Sequence, residues 1–470
     1  MDLRAYIDRL EEQQELNRIS CEVDPHIELG AIVRKISDQG GPALLFENVK
    51  GYQIPVLVNI FGTRKRIADL FNVEEQQLLT HYSKLSNAKN YIPPILTSKE
   101  EAPCKEIRYI GNEVNLFSLP NPIWTEQDAG PYINFGVVRA KEPNGSFSNL
   151  SVNRLQVKER NKLGIRTDLG RDLGKIIHMY WQQGKACPVA ITIGNSPYYL
   201  LASVDALPFG VDEILLAGAL SGKPVLTTKC ETSDIEIPID SEIVIEGEIP
   251  PYVLEEEGPY GEFLGYVGSC EKLPIIEVKA ITTRKNPIYL GSLEGMPVVE
   301  HHVMQSLHIE NGLKLLGSIT GVKIVDVAVQ PYSGGMSAVI SIQKRFDSDP
   351  KQLMMASFMI SILKQVFIVD EDIDVHSDKD LQWAMATRFQ PDKDITIINN
   401  AQGLQLDPSA YPSPGNETAR ISSKVGFDLT KPVNVKYPEV IKYSKETMDL
   451  IEKRWSEYGF PSSNNRSQWK

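Results

Sequence analysis

The sequence predicts an α/β (α+β) protein in which a mostly-β middle unit is flanked by two units of alternating helix and strand. Its 470 residues exceed the size at which one hydrophobic core usually keeps growing, so two or three units in extensive contact are expected. The pattern changes texture near residues 115 and 305, and each change marks a unit edge. At 42% hydrophobic and 23% charged, with no low-complexity tract, the composition is that of an ordinary folded chain with disorder confined to its ends.

In the first unit, residues 1–114, the stretch 3–18 reads as a helix because Leu3, Tyr6, Ile7 and Leu10 recur at helical spacing. Residues 43–46 and 54–60 read as strands, and 64–71 as a second helix. Tyr91-Ile92-Pro93-Pro94 is a loop. The middle unit, 115–305, has short apolar runs cut by Gly, Pro and Asn at 133–139, 148–157, 189–194, 242–249 and 275–281, which is barrel or sandwich material. The mix of charge and β-branched residues over 242–249 suggests an edge strand, and 173–183 is the one clear helix between these strands. In the third unit, 306–437, a helix over 301–316 is followed by strands at 322–329 and 338–343. A helix at 351–363, a strand at 366–369, a helix at 381–387 and a strand at 395–398 complete it. The last part, 438–470, predicts a helix over 438–459 and a fraying polar tail, 461–470.

Several function classes are disfavoured at this level. A net charge of -12 without a basic stripe argues against nucleic acid. No apolar segment is long enough to span a bilayer, and Met1-Asp2-Leu3-Arg4 opens no secretory signal. Five cysteines without a Cys-x-x-Cys pair fit reduced thiols in the cytoplasm. Gly261, Gly265 and Gly268 have the wrong spacing for a dinucleotide fingerprint, and Asp370 to Asp374 lacks the glycine and terminal Glu of a calcium loop. His301-His302 has no acidic residue at a useful spacing, which favours core or surface roles, and His178 reads as a packed or surface residue of its helix.

Two runs carry chemistry. Glu257-Gly258-Pro259-Tyr260-Gly261-Glu262 sets two carboxylates around a rigid turn, and paired carboxyls in different surroundings can divide acid and base work. By residue type alone the same run is more often a solvated turn. Phe147 to Arg154 is a strand-like run with an unusual number of polar groups, which by spacing alone fits a solvent-facing strand as well as a binding one. Period-two alternation puts Asn149, Ser151 and Asn153 on one face and Arg154 on the other, so a bulge or an edge-bound ligand is needed to unite Asn149 with Arg154.

Asn-x-Ser-x-x-Arg at 149–154, Gly210-Val211-Asp212-Glu213, and Glu257 to Glu262, in that order, resemble the active-site framework of the UbiD-like decarboxylases. The likeness extends to Lys229-Cys230-Glu231-Thr232, to 241–247 and to 383–388, and covers nearly the whole chain. It implies a split β-barrel, flavin-binding middle domain, a C-terminal oligomerisation domain, and a homodimer or homohexamer. The implied reaction is reversible, non-oxidative decarboxylation of an α,β-unsaturated, aromatic or heteroaromatic acid with prenylated FMN, supplied by a flavin prenyltransferase. It further implies that Arg154 grips the substrate carboxylate, Glu257 orients Arg154 and Glu262 donates a proton. The cofactor would lie against Asn149, Ser151, Val152, Asn153, Arg154, Arg171, Asp172, Glu213 and Lys424, with Ser151 and Lys424 on its phosphate. A Mn²⁺ or Mg²⁺ ion would be held by Asn149, Asp172 and Glu213, accompanied by K⁺; the family usually has His where Asp172 stands, and Asp168 and His178 lie near enough for a shifted register. Asn153 makes the pocket more polar than a plain cinnamic acid needs, and residues 293–298 are expected in its wall. The rivals are an FMN-dependent oxidoreductase on a split barrel and a flavin-binding subunit of a multi-subunit carboxylase.

Overall fold

A computed structural model describes residues 1–168, 170–414 and 416–460. The predicted fraying tail, 461–470, lies outside the described residues. In the first unit, Asp2 caps the helix Leu3–Glu12 by accepting from the Ala5 N–H at 2.9 Å, and Leu3, Tyr6, Ile7 and Leu10 fill its buried face. This helix is shorter than predicted. Gln14 turns the chain at φ 59°, and Leu16–Ile19 instead pairs in parallel with Ala43–Phe46, where the ladder takes up its backbone groups. The sheet continues through Val56–Val58 and ends on Tyr289–Leu290, a strand donated from far along the chain. Helices Glu28–Ser37 and Leu78–Leu85 were not predicted.

The middle sheet decides the architecture. Its order runs Tyr132–Ile133, Leu155–Glu159, Lys162–Ile165, Glu271–Thr283, Ile243–Ile249, Cys187–Ile193, Val137–Lys141, Ser148–Val152. Adjacent strands lie ~4.8 Å apart, so in a flat sheet the second and last strands of this order would be separated by roughly 29 Å. Yet Val152 and Leu155 are joined by only Asn153 and Arg154, which reach about 10 Å at most. The sheet therefore curls until its two ends meet at those residues, giving a split barrel. The predicted single strand over 148–157 is two strands, broken at that junction.

Ile243–Ile249 is central, not an edge, because it pairs with Cys187–Ile193 on one side and Glu271–Thr283 on the other. Its charges are tolerated because they are partnered. Glu246 accepts from Lys105 Nζ at 2.7 Å and from the Glu231 and Thr232 N–H groups, while Glu242, at the strand's start, takes a fork from Arg4 at 2.8 Å on each oxygen. Strands Ile95–Leu96 and Ile107–Ile110 also pair into the middle unit.

In the third unit, the helix Glu300–Thr320 packs on a mixed sheet ordered Lys323–Val329, Ser337–Gln343, Gln365–Asp370, Asn416–Leu429, Ile395–Gln402. Asn416–Leu429 was not predicted, and the helix expected over 351–363 is confined to Asp349–Ser357. The final predicted helix is reduced to Lys445–Lys453 and a 3-10 turn at Trp455–Tyr458, with no buried residue in either. Asp370 and Asp372 hold the nearly fully buried Arg388. Among the described residues, no helix is long and apolar enough to cross a membrane.

Candidate active site

The site grows from the edge strand Ser148–Val152. Its alternation places Asn149, Ser151 and Asn153 on one face as predicted, and they form a relay: Asn149 Nδ2 donates to Ser151 Oγ at 3.2 Å, and Ser151 Oγ to Asn153 Oδ1 at 2.8 Å. Asn153 Nδ2 then donates to the Arg166 carbonyl at 3.0 Å. The break that follows turns Arg154 inward. Its Nε and Nη2 donate to the two oxygens of Glu257 at 3.0 and 2.6 Å, and its Nη1 donates to Glu262 Oε1. The guanidinium lies 4.6 Å over the Tyr260 ring, which packs 4.5 Å from Tyr132.

Burial works against the charge on Arg154, but Glu257 and Glu262 outweigh it. Burial pushes the Glu262 carboxyl above its ordinary value, although Arg154 and Arg166 pull the other way. One guanidinium thus faces two buried carboxyls, a set that accommodates a proton on Glu262. Glycines make the room: a Cβ at Gly268 would stand 2.6 Å from Glu262 Oε1.

Arg154, Tyr260 and Glu262 line an open cavity of about 200 Å³, with Val152, Asn153, Asn134, Arg166, Phe263, Glu294, His301 and Leu406. His301 corrects the sequence reading. It sits on the cavity wall, stacked on Phe263 with ring centroids 5.6 Å apart, and its Nδ1 lies 3.2 Å from Glu294 Oε1. Glu294 precedes it by seven residues, and only the loop between them brings the pair together; the sequence signal was the neighbouring 293–298 segment, already assigned to the wall. His302 is buried. Val299 N–H donates to its Nδ1, so Nε2 carries the proton and donates to the Phe263 carbonyl, and burial lowers its pKa to about 4. Arg166, Glu294 and Phe263 were not singled out from sequence.

Glu213 begins the helix Ile214–Ser221, buried, and its Oε2 accepts from Leu150 N at 2.8 Å, which ties it to the strand of Asn149. Burial raises its carboxyl to about 8. The adjacent Asp212 is forked by Arg139 at 2.9 and 2.6 Å. Asp172 opens the helix Asp172–Gln182 and pairs with Lys175 at 2.9 Å. Arg171, at its N-cap, is exposed and makes no side-chain cap bond. His178 is exposed on the same helix. Lys424 is buried and donates to the Phe358 and Ser361 carbonyls at 3.3 and 3.0 Å, so it is no surface lysine; in these contacts it stays within the third unit. Among the described residues, no three His, Cys, Asp or Glu side chains converge as a metal site.

Comparison with known proteins accounts for this framework. Sequence models of the 3-octaprenyl-4-hydroxybenzoate carboxy-lyase N-terminal, Rift-related and C-terminal domains match residues 7–86, 96–297 and 302–429. An uncharacterized protein of Archaeoglobus fulgidus is 31% identical over 97% of this chain and 98% of its own length. The chain belongs to the UbiD family. Its members are carboxy-lyases, which answers the oxidoreductase rival. Among solved UbiD-class structures, HmfF from Pelotomaculum thermopropionicum, in complex with FMN, is 34% identical over 97% of this chain and 100% of that one, with a TM-score of 0.88. Vanillic acid decarboxylase from Sedimentibacter hydroxybenzoicus in its closed form is 29% identical over 97% and 98%, TM-score 0.85. The apo 3,4-dihydroxybenzoic acid decarboxylase AroY of Klebsiella pneumoniae is 30% identical over 95% and 98%, TM-score 0.83.

The residues present would suit a flavin phosphate and a hard divalent ion. The first-turn N–H groups of Asp172–Gln182 lack a side-chain cap, a setting that favours phosphate. A buried Glu213 carboxylate with Asn149 nearby is an all-oxygen donor set suited to a hard divalent ion.

Proposed function

We propose that this UbiD-family chain catalyses the reversible, non-oxidative decarboxylation of an α,β-unsaturated, aromatic or heteroaromatic acid. The buried Arg154–Glu257–Glu262 set on the wall of the cavity carries the reading. Prenylated FMN, when bound, supplies the electron sink that side chains lack. The chain's own residues do the rest. Arg154 receives the substrate carboxylate with its planar fork of donors, and Glu257 holds that fork in orientation. As carbon dioxide leaves, Glu262 delivers a proton to the carbon left behind, a role its buried surroundings favour by keeping the carboxyl protonated more readily than in water. Tyr260 beneath the guanidinium and Phe263 on the wall of the same cavity give the substrate apolar surface beside the charged set.

Asn149 and Glu213, joined by Asp172 once it leaves Lys175, would hold Mn²⁺ or Mg²⁺, which would supply positive charge to balance the cofactor's phosphate, with Ser151, Arg171 and Lys424 contributing to the cofactor site and K⁺ accompanying the metal. The working enzyme is a homodimer or homohexamer assembled through its third unit, active in the cytoplasm and supplied by a flavin prenyltransferase. Protein co-produced with that transferase is expected to release carbon dioxide from at least one aromatic or unsaturated acid, and Glu262→Gln is expected to reduce the rate by about 10²–10⁴. Undiminished turnover by Glu262→Gln sinks the assigned roles.

A further inference from the structure

The turn that carries Glu262 is weak structure by itself. Tyr260–Gly261 pairs with Val267–Gly268, two residues a side, and among the described residues these strands join no larger sheet. A hairpin that short is marginal in water, so its direction is decided by what holds it from outside. Glu257, at the other end of the turn, needs no such help, because it pairs with Glu271 in the long strand Glu271–Thr283.

The outside hold comes from Asp128. Its Oδ1 accepts from the Gly261 N–H at 2.9 Å, while its Oδ2 accepts from the Trp124 and Thr125 N–H groups at 3.1 and 2.9 Å. The neighbouring Ala129 N–H donates to the Pro259 carbonyl at 2.9 Å, so the strap 123–129 is bonded to the turn on both sides of Tyr260. The first unit backs this strap. Ile27 N–H donates to the Ile123 carbonyl at 2.7 Å, and the helix Glu28–Ser37 passes so close that a Cβ at Gly30 would stand 2.1 Å from the Trp124 carbonyl oxygen.

We propose that Asp128 is a positioning residue of the reaction: by binding the Gly261 N–H it fixes the turn that aims Glu262 into the cavity. The inference rests on the decarboxylase reading above and adds to it a residue outside the cavity wall. The residue type matters. Three N–H groups converge on one side chain, and a carboxylate meets them with two acceptor oxygens and no donor. Asn has one acceptor oxygen. With that oxygen on Trp124 and Thr125, in a turn that Asn also suits, its NH2 faces the Gly261 N–H, donor against donor. Asp128→Asn thus keeps the shape of the strap and breaks the clamp. Glu262 is the next residue, and a misplacement of about 1 Å at a reacting group costs up to roughly 10²-fold in rate. Arg154 and Glu257 are placed by other strands, so the grip on the substrate carboxylate is spared.

The test uses the full-length protein loaded with prenylated FMN. Asp128→Asn is compared with Glu126→Gln, which removes the same charge from an exposed position of the strap. Carbon dioxide release from a panel of aromatic and unsaturated acids gives kcat and KM, and amide hydrogen exchange is read residue by residue. Asp128→Asn is expected to lower kcat by about 10–100-fold with KM little changed. Exchange at Gly261 is expected to quicken roughly ten-fold or more, the loss of one bond to a charged acceptor, while the central strand Ile243–Ile249 keeps its protection. Glu126→Gln is expected to do neither. An undiminished kcat, an equal fall with Glu126→Gln, or exchange that quickens throughout the middle sheet overturns the inference. So does a Gly261 amide that exchanges in the wild type as freely as an exposed one, even if the variant does not fold. The reading beneath it fails differently. No carbon dioxide from any acid, with Gly261 protected in the wild type and released by Asp128→Asn, overturns the reaction and leaves the clamp standing. Undiminished carbon dioxide release by the variant does the reverse.

Discussion

At the residue scale, the site is a charge problem solved by burial. Arg154 serves two carboxyls, and Glu262 is the one whose proton affinity is raised, first by burial, with Arg154 and Arg166 opposing. An acid whose value is raised keeps its proton to higher pH than free glutamate and gives it up as pH climbs through that higher value. The rate of proton delivery is therefore expected to be full on the acid side and to fall about ten-fold per pH unit above the Glu262 value. A pH–rate profile checks this, and a limb falling toward acid in the same range would contradict it. Asn149, Ser151 and Asn153 sharing a face followed from period two alone. The approach of Arg154 to Glu257 did not, because it needs the chain to leave the strand at Asn153, and side-chain type carries no signal for that break.

At the element scale, the central strand Ile243–Ile249 shows how charge misleads a sequence reading. Its glutamates look like edge residues, yet Glu246 is fully buried and bound to Nζ of Lys105, whose side chain is 1% exposed. Removing one partner of such a pair leaves a charge stranded. Lys105→Met is expected to cost about 3–5 kcal/mol in chemical denaturation. The control is Lys65→Met, whose partner Asp69 lies one turn along an exposed helix face; it is expected to cost less than about 1 kcal/mol. Similar costs for the two would mean that the Lys105–Glu246 pair is wet and weak. Helix ends were likewise hard to read: the first helix stops at Glu12, six residues short of the expected end at 18, and Gln14 turns the chain at φ 59° where no glycine or proline announces it.

At the scale of the whole molecule, the three units are interlocked around the cavity. Tyr289–Leu290 completes the first unit's sheet, Arg4 reaches Glu242, and the buried Glu300 accepts from the Asn59 and Phe61 N–H groups at 2.9 and 3.2 Å. Glu300 immediately precedes His301, so the first unit fixes the start of the helix that carries the cavity wall, and Leu406 closes the wall from the third unit. Ligands held by Glu213 and its neighbours should then stabilise the molecule as one body. Mn²⁺ at a hundred times its dissociation constant is expected to add about 2.7 kcal/mol, read as a rise in the thermal midpoint. Glu213→Gln is expected to abolish the rise. Asp172→Ala tests the third ligand: an unchanged response to Mn²⁺ would remove Asp172 from the metal set.

The sequence by itself determined the alternation of units, the barrel-forming texture of the middle one, the polar face of Ser148–Val152 and the order of motifs that marks the UbiD family, because these are local in the chain or carried by residue types at fixed spacing. Tertiary structure decided where the curled sheet closes, which glutamates are buried, and that Glu294 and His301 meet on the cavity wall. Those outcomes depend on chain segments far apart in sequence, and local pattern holds no record of which distant partner will neutralise a charge or take up a free hydrogen bond.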